Sequence, residues 1–305
     1  MSFHPPSQRA IVVSTDHVLS VRILEFGTEG LPCILIHGFG EAACVWADFA
    51  AATADRLRTI AVDLRGHGDS DWGPEGAYDI ETLTSDVRKV VRSLNIDRLL
   101  LMGHSLGGDI ALRLAAKEPA LVKLLVLVDF GPEVLKAGAD QVRADFEATP
   151  ENFASVQEYE EWLLARRPLA DRNAIQRFAA HNTRRLPSGR YSVKVDPSLR
   201  RCAGFEPDRI YGERCYYTGH WTLLRGVACP TLVVRGLASG VLPKDAALRM
   251  VRVLRNGSLA TIAGAGHAVM MDNPSGFNNA VVEFLARQTC MESRAWQWGA
   301  ERQRL

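Results

Sequence analysis

The chain has 305 residues, 47% of them hydrophobic, and a formal net charge of +1. That is enough apolar material to bury the core of one large domain, or of one domain carrying an insertion, and the near-neutral charge offers no global field for nucleic acid or a membrane surface. No apolar run reaches the roughly 18–20 residues of a membrane span, and the polar, proline-containing N-terminus lacks the apolar core of a signal peptide, so the expected setting is the cytoplasm. Cys33, Cys44, Cys202, Cys215, Cys229 and Cys290 are scattered, with no C-x-x-C pair and no Cys/His cluster at zinc spacing. Neither a disulfide framework nor a metal site is expected, and no cofactor is implied. Cys33 and Cys229 open apolar runs and are expected as small buried hydrophobes.

Residues 10–13 and 19–26 read as two antiparallel strands, with Asp16-His17 at the turn between them. Residues 33–36 form a short, continuous apolar strand of the kind buried on both faces of a parallel sheet. It ends in His37-Gly38-Phe39-Gly40, and a helix over 45–54 follows. The strand at 59–62 runs into Asp63-Leu64-Arg65-Gly66-His67-Gly68-Asp69-Ser70, a turn whose Asp63, Arg65 and His67 are expected to tie loops together. A helix over 80–94 carries the apolar stripe Ile80, Leu83, Val87, Val90, Val91 and Leu94, with Asp79 placed as its cap.

An apolar strand then leads through Leu99-Leu100-Leu101-Met102 into Gly103-His104-Ser105-Leu106-Gly107, followed by an amphipathic helix over 106–117. Strand, G-x-S-x-G and helix describe a sharp turn that lifts the serine hydroxyl above a sheet, next to a helix N-terminus. The flanking glycines are needed where side chains would collide with the neighbouring strand and helix. Another apolar strand, 121–128, ends at Asp129.

From 130 to 226 the pattern changes. Strands are no longer expected, and polar helical segments are read at 140–148, 156–166 and 172–182. A crossover between parallel strands needs only about a dozen residues or a little more, so this length predicts an inserted helical subdomain. Its aromatics (Phe146, Phe153, Tyr159, Trp162, Phe178, Tyr211, Tyr216, Tyr217 and Trp221) are expected to build its core more than to line a pocket. Between Arg166 and Arg201 ten Lys/Arg stand against Asp171 and Asp196, read as a solvated basic face in preference to a docking surface for acidic groups. His181 and His220 are expected at the surface.

The sheet resumes with a strand at 231–234, a helix at 243–254 and a strand at 258–262 ending in Gly264-Ala265-Gly266-His267. The last clear helix, 274–287, has Asn273 as cap and Pro274 in its first turn. The tail, 288–305, reads as a frayed helix or a packing arm. The predicted divisions are a core of 1–129 with 227–287, an insertion of 130–226 and the tail.

Serine after the middle strand and histidine after the last, with Asp between them, give the order Ser…Asp…His. With His37-Gly38-Phe39-Gly40, the 63–70 loop, Gly103–Gly108 and Gly266-His267 in order and at matching spacing, the sequence resembles the α/β-hydrolase superfamily, in particular its cap-bearing, serine esterase- and lipase-like branch, over nearly all of 10–287. The resemblance implies an α/β fold with a mostly parallel, doubly wound sheet and a helical cap over the site. It implies Ser105 as nucleophile, His267 as base, and backbone N–H groups of Phe39 and Leu106 as the oxyanion hole, leaving His37 and His104 structural roles.

The acid is the informative member. Related sequences commonly carry Asp where this chain has Gly240, and no carboxylate stands between Arg235 and Lys244. Asp245 is then the alternative to Asp129, although its place in the first turn of a helix is explained by the helix dipole. Asp129, at the C-terminal end of its strand, points toward the crevice where such sheets bind ligands, and it is the chosen acid.

The expected activity is hydrolysis of a carboxylic ester, lactone or thioester of a small to medium apolar substrate through an acyl-enzyme. The same triad also serves C–C bond hydrolases of the meta-cleavage-product type, and a non-catalytic binding homologue is the third reading. The expected partner is a small-molecule acyl substrate, with neither nucleic acid nor membrane, and a homodimer is left open.

Overall fold

The computed structural model describes residues 7–14, 19–74, 77–201 and 207–302. β1 (Ser7–Ser14) and β2 (Leu19–Phe26) pair antiparallel, and the Asp16-His17 turn lies outside the described residues. In β2 the alternation is clean: Val21 and Ile23 are fully buried, while Arg22 and Leu24 are half-buried. β3 (Leu31–Ile36) leads through a 3-10 turn (Ala43–Trp46) to α1 (Ala47–Thr53). Then come β4 (Leu57–Val62), α2 (Ile80–Ser93), β5 (Leu99–His104), α3 (Leu106–Lys117) and β6 (Val122–Val128). Asp79 caps α2 as expected, its carboxylate accepting from the N–H groups of Glu81 and Thr82 at 3.1 and 3.0 Å.

The insertion contains β7 (Glu133–Leu135), α4 (Lys136–Glu147), α5 (Val156–Arg166), α6 (Arg172–His181), β8 (Thr183–Arg185), β9 (Tyr191–Val193), β10 (Arg209–Tyr211), β11 (Arg214–Tyr216) and α7 (Thr218–Gly226). The expectation that strands cease here is corrected. β10, β11 and β7 form one small sheet, and β8 and β9 another. Each of these strands is three residues long, too short to show a period-2 pattern.

β12 (Thr231–Gly236), α8 (Lys244–Val253), β13 (Gly257–Ile262), α9 (Val269–Asp272) and α10 (Pro274–Arg302) complete the chain. The helix expected to stop near 287 continues to Arg302, since no Gly or Pro interrupts residues 277–298. No helix among the described residues is long and apolar enough to cross a membrane.

The main sheet has eight strands in the order β1-β2-β4-β3-β5-β6-β12-β13. From β4 through β13 neighbours run parallel, while β1–β2 and β2–β4 are antiparallel. Every residue of β5 is buried, as a central parallel strand requires. Its side chains alternate between two cores. Leu99 and Leu101 pack with α2, α3 and α8 residues on one face, and Leu100 and Met102 with α1 and α10 residues on the other. The insertion shares this second core through Phe153, Tyr159, Leu163 and Phe178.

The 63–70 loop acts as the tie expected of it. Asp63 accepts from the Ala43 and Asp69 N–H groups. Arg65 forms a two-pronged pair with Asp86 of α2 at 2.5 and 2.8 Å, with both residues buried. Removing one partner would strand a buried charge. Asp86→Ala is expected to lose about 3–5 kcal/mol of stability, read as a lower urea midpoint with an unchanged denaturant slope.

Candidate active site

The turn between β5 and α3 depends on two glycines. A Cβ on Gly103 would stand 2.0 Å from the Gly107 carbonyl oxygen, and one on Gly107 would stand 2.2 Å from that of Ile36. Only bare backbone permits this approach, and it forces Ser105 to φ 50° and ψ −115°. Such a conformation in a non-glycine residue costs on the order of 1–3 kcal/mol and persists only where its surroundings over-determine it. Here the Ser105 N–H donates to the Val128 carbonyl at 3.0 Å, and the residue caps the N-terminus of α3.

Asp129 follows the next strand, β6, and is completely buried at φ 43°. Its Oδ2 accepts from His267 Nδ1 at 2.8 Å and from the Ser239 hydroxyl at 2.6 Å, and its Oδ1 from the Gly236 N–H at 3.2 Å. A carboxylate facing Nδ1 holds the ring proton there and leaves Nε2 as the acceptor nitrogen. Ser239 was not foreseen from the sequence. Its hydroxyl accepts from the Val241 and Leu242 N–H groups, both at 3.1 Å, so it must donate to Asp129. The buried Arg235 guanidinium fixes the same loop through the carbonyls of Leu242, Leu237 and Ser239.

Gly240, beside Ser239, faces open space: a Cβ there would meet nothing within 4 Å. Asp245 is engaged elsewhere. It is half exposed and bonds Arg214 at 2.8 and 3.0 Å and Arg249 at 2.8 Å. The bonds from these two arginines, outweighing its slight burial, hold its carboxyl well below the usual range. Of the two candidate acids, the one that meets His267 is Asp129.

A second buried pair supports the same loops. Glu41 accepts from His104 Nδ1 at 2.9 Å and from the Gly38 N–H at 2.8 Å, while His104 Nε2 contacts the His267 carbonyl at 2.9 Å. The His104 ring lies 4.7 Å from that of His267. Burial alone would push Glu41 up and His104 down. Their mutual charge and hydrogen bond outweigh it, helped at Glu41 by Arg167, so Glu41 stands below its ordinary value and His104 above its own. His37 and His67 differ: burial drops them to about 3 and about 4. As neutral rings they accept from the Leu64 and Gly40 N–H groups and so shape the 37–40 loop.

Ser105, Asp129, His267, Phe39 and Leu106 all line one cavity of about 610 Å³. The insertion closes over it through Phe146, whose ring lies 4.5 Å from that of Phe39, and through Tyr217 and His220. Phe153, Tyr159, Trp162 and Phe178 instead pack on one another. His181 is exposed as expected, but His220 is buried, correcting its expected surface position. Its half-buried partner Asp109 is on α3, a pairing that no local pattern announces. Much of the basic run is engaged: Arg177 pairs with Asp48, Lys194 with Asp69, and Arg166 stacks on Trp162. Cys33 is buried, whereas Cys229 is half-buried, at the sheet margin before β12.

Four adjacent parallel strands, β5, β6, β12 and β13, thus deliver at their C-terminal ends a strained serine, a buried carboxylate, its supporting loop and a histidine. Residues 32–274 match the family described as alpha/beta hydrolase fold. The chain belongs to the α/β hydrolase fold family. It is 30% identical over 262 residues to esterase Rv0045c of Mycobacterium tuberculosis, covering 84% of this chain and 83% of that protein. It is 27% identical over 282 residues to 2-(acetamidomethylene)succinate hydrolase of Mesorhizobium japonicum, covering 90% and 97%. A crystal structure of E-2-(acetamidomethylene)succinate hydrolase superposes with a TM-score of 0.81 at 26% identity, over 92% of this chain and 99% of that one.

The Glu41–His104 pair gives this α/β hydrolase a pH signature. A raised His104 adds stability that is full below the unfolded value of about 6.5 and is lost as pH rises through the raised folded value. With Glu41→Gln, His104 is buried without its counter-charge, and stability falls instead as pH drops below about 6.5. The penalty of Glu41→Gln in urea unfolding is therefore expected to be larger at pH 5.5 than at pH 8.5. Equal penalties at the two pH values would contradict the pairing.

Proposed function

We propose that the protein is a serine hydrolase that cleaves a carboxylic ester, lactone or thioester of a small to medium apolar substrate through an acyl-enzyme. The observation that carries this reading is the 2.8 Å His267–Asp129 hydrogen bond in the same cavity wall as a serine held at φ 50°. A serine hydroxyl is a weak nucleophile until a base accepts its proton. With Nδ1–H held by Asp129, His267 Nε2 takes the Ser105 proton as the oxygen attacks the carbonyl. The N–H groups of Phe39 and Leu106 receive the developing oxyanion, an interaction in which one donor is typically worth about 10²–10³ in rate. His267 then returns the proton to the leaving group, and water repeats the sequence to release the acid. The insertion serves as the cap over this chemistry, and its Phe146 and Tyr217 with Val134 and Val142 supply the apolar wall. The esterase and hydrolase relatives support the same class.

The test is labelling with a fluorophosphonate probe and turnover of p-nitrophenyl butyrate. Wild type is expected to label and turn over, and Ser105→Ala to do neither. Asp129→Asn keeps the size of the side chain but offers His267 the wrong hydrogen-bonding partner. It is expected to lower kcat by about 10⁴. A wild type that does not label overturns the reading, and full turnover by Asp129→Asn overturns the choice of acid.

A further inference from the structure

The apolar face of α4 is turned to the cavity that holds Ser105. Ala139, Val142 and Phe146, spaced to share one side of the helix, all line it, and none of the helix's 12 residues is buried. Both ends are nonetheless fixed to the site. At the N-terminal end the Leu135 N–H donates to the Val241 carbonyl at 2.8 Å, and a Cβ on Gly138 would stand 1.9 Å from the Gly240 carbonyl oxygen. At the other end the Phe146 ring lies against Phe39 and against Gly40, where a Cβ would come within 2.8 Å of it. Phe146 is thus held at a set place beside the loop whose Phe39 N–H is the proposed oxyanion donor.

Behind that ring lies a second cavity, of about 310 Å³. Among the described residues, Phe146 and Arg200 line both cavities. Three stretches of chain put one residue on each side: Phe39 and Gly40, Glu147 and Thr149, Leu199 and Pro197. The partition is therefore one layer of side chains thick, and Phe146 is its apolar member. Trp72, Tyr159, Leu186 and Val193 give the second chamber apolar walls, and Trp72 is 41% exposed, an indole that the core leaves uncovered. Three of the chamber's polar side chains are already engaged. Asp196 accepts from the Tyr78 hydroxyl and the Ser198 N–H, Arg184 donates to Ser192 and lies over Trp72, and Asn152 accepts from Arg190. What such a chamber offers a ligand is apolar surface, whose burial is favourable in proportion to the area removed from water.

We infer that Phe146 is the end wall for an unbranched apolar arm of the substrate, and that the chamber behind it is a second subsite for the end of a longer arm, closed while the ring lies on Phe39. This rests on the acyl-hydrolase reading and deepens it, by naming the residue that sets the length of substrate the site accepts. No covalent step is added, since Phe146 touches the arm and the chemistry stays with Ser105 and His267. The arm belongs to the acyl or to the alkoxy side of the ester, and two substrate series separate these cases.

The test measures kcat/KM for a long and a short ester with the same enzyme preparation, so that any loss of folded protein cancels from the ratio. p-Nitrophenyl decanoate against p-nitrophenyl butyrate reads an acyl arm, and decyl acetate against butyl acetate reads an alkoxy arm, with fluorophosphonate labelling in parallel. Wild type is expected to prefer the short member of one series by about tenfold or more. Phe146→Ala is expected to bring that ratio to within about twofold of unity, and Phe146→Trp to leave it at least as steep. Val142→Ala widens the first cavity without opening the partition and is expected to keep the wild-type ratio. Adding Ser192→Trp to Phe146→Ala fills the second chamber and is expected to restore the preference for the short ester. A wild type that labels and hydrolyses, but whose ratios in both series are unchanged by Phe146→Ala, overturns this inference and leaves the acyl-hydrolase reading standing. An equal gain in Val142→Ala overturns the assignment to Phe146, and a gain that survives Ser192→Trp overturns the second subsite. A wild type that neither labels nor hydrolyses overturns the acyl-hydrolase reading, and this inference falls with it.

Discussion

A carboxylate with no solvent exposure must have its lone pairs filled, or the fold cannot hold it as an anion. Asp129 is such a group, and its three partners come from two other parts of the chain: His267 after β13, and the Gly236 N–H at the end of β12 with the Ser239 hydroxyl just beyond it. Because β6 lies between β5 and β12, with β13 beyond, filling those lone pairs draws the ends of the adjacent strands into one place. The cost of a buried charge thereby becomes a positional constraint. The loop that supplies Ser239 is itself fixed by Arg235, whose guanidinium has backbone carbonyls as partners. A serine and an arginine therefore complete the surroundings of the Asp129 carboxylate.

The same logic repeats one layer away. Glu41 and His104 are both buried, and between them they touch Gly38 of the 37–40 loop, the residue preceding Ser105, and the carbonyl of His267. Each loop of the proposed site is thus tied to a second loop by a hydrogen bond that burial makes costly to break. Preorganisation of this kind lets a stabilising dipole act without rearranging at the moment of reaction. The insertion joins the same arrangement through apolar contact and through His220, whose Nε2 bonds to Asp109 on the core helix that follows Ser105.

Much of this was legible in the residue order because it depends on short range. The Gly103–Gly107 turn, the Asp79 cap, the alternation in β2 and the apolar runs of β3, β5 and β6 follow from neighbours within a few positions. The strands of the insertion were not legible, since three residues carry no period. Nor was the end of α10, because nothing local stops it before Gly299.

What the sequence by itself determined was the set of candidates: a strained serine, a histidine after the last strand, two eligible acids and an oxyanion loop. The tertiary structure decided among them. Asp245 is taken up by Arg214 and Arg249, Asp129 meets His267, and Ser239 stands in beside Gly240. His220 moves from an expected surface to a buried wall because its partner Asp109 lies 111 positions away in the chain. The physical reason is common to all four. Local conformation is set by propensity and periodicity along the chain, whereas the partner of a charge or a ring nitrogen is set by strand order and by burial, which exist only once the sheet has formed.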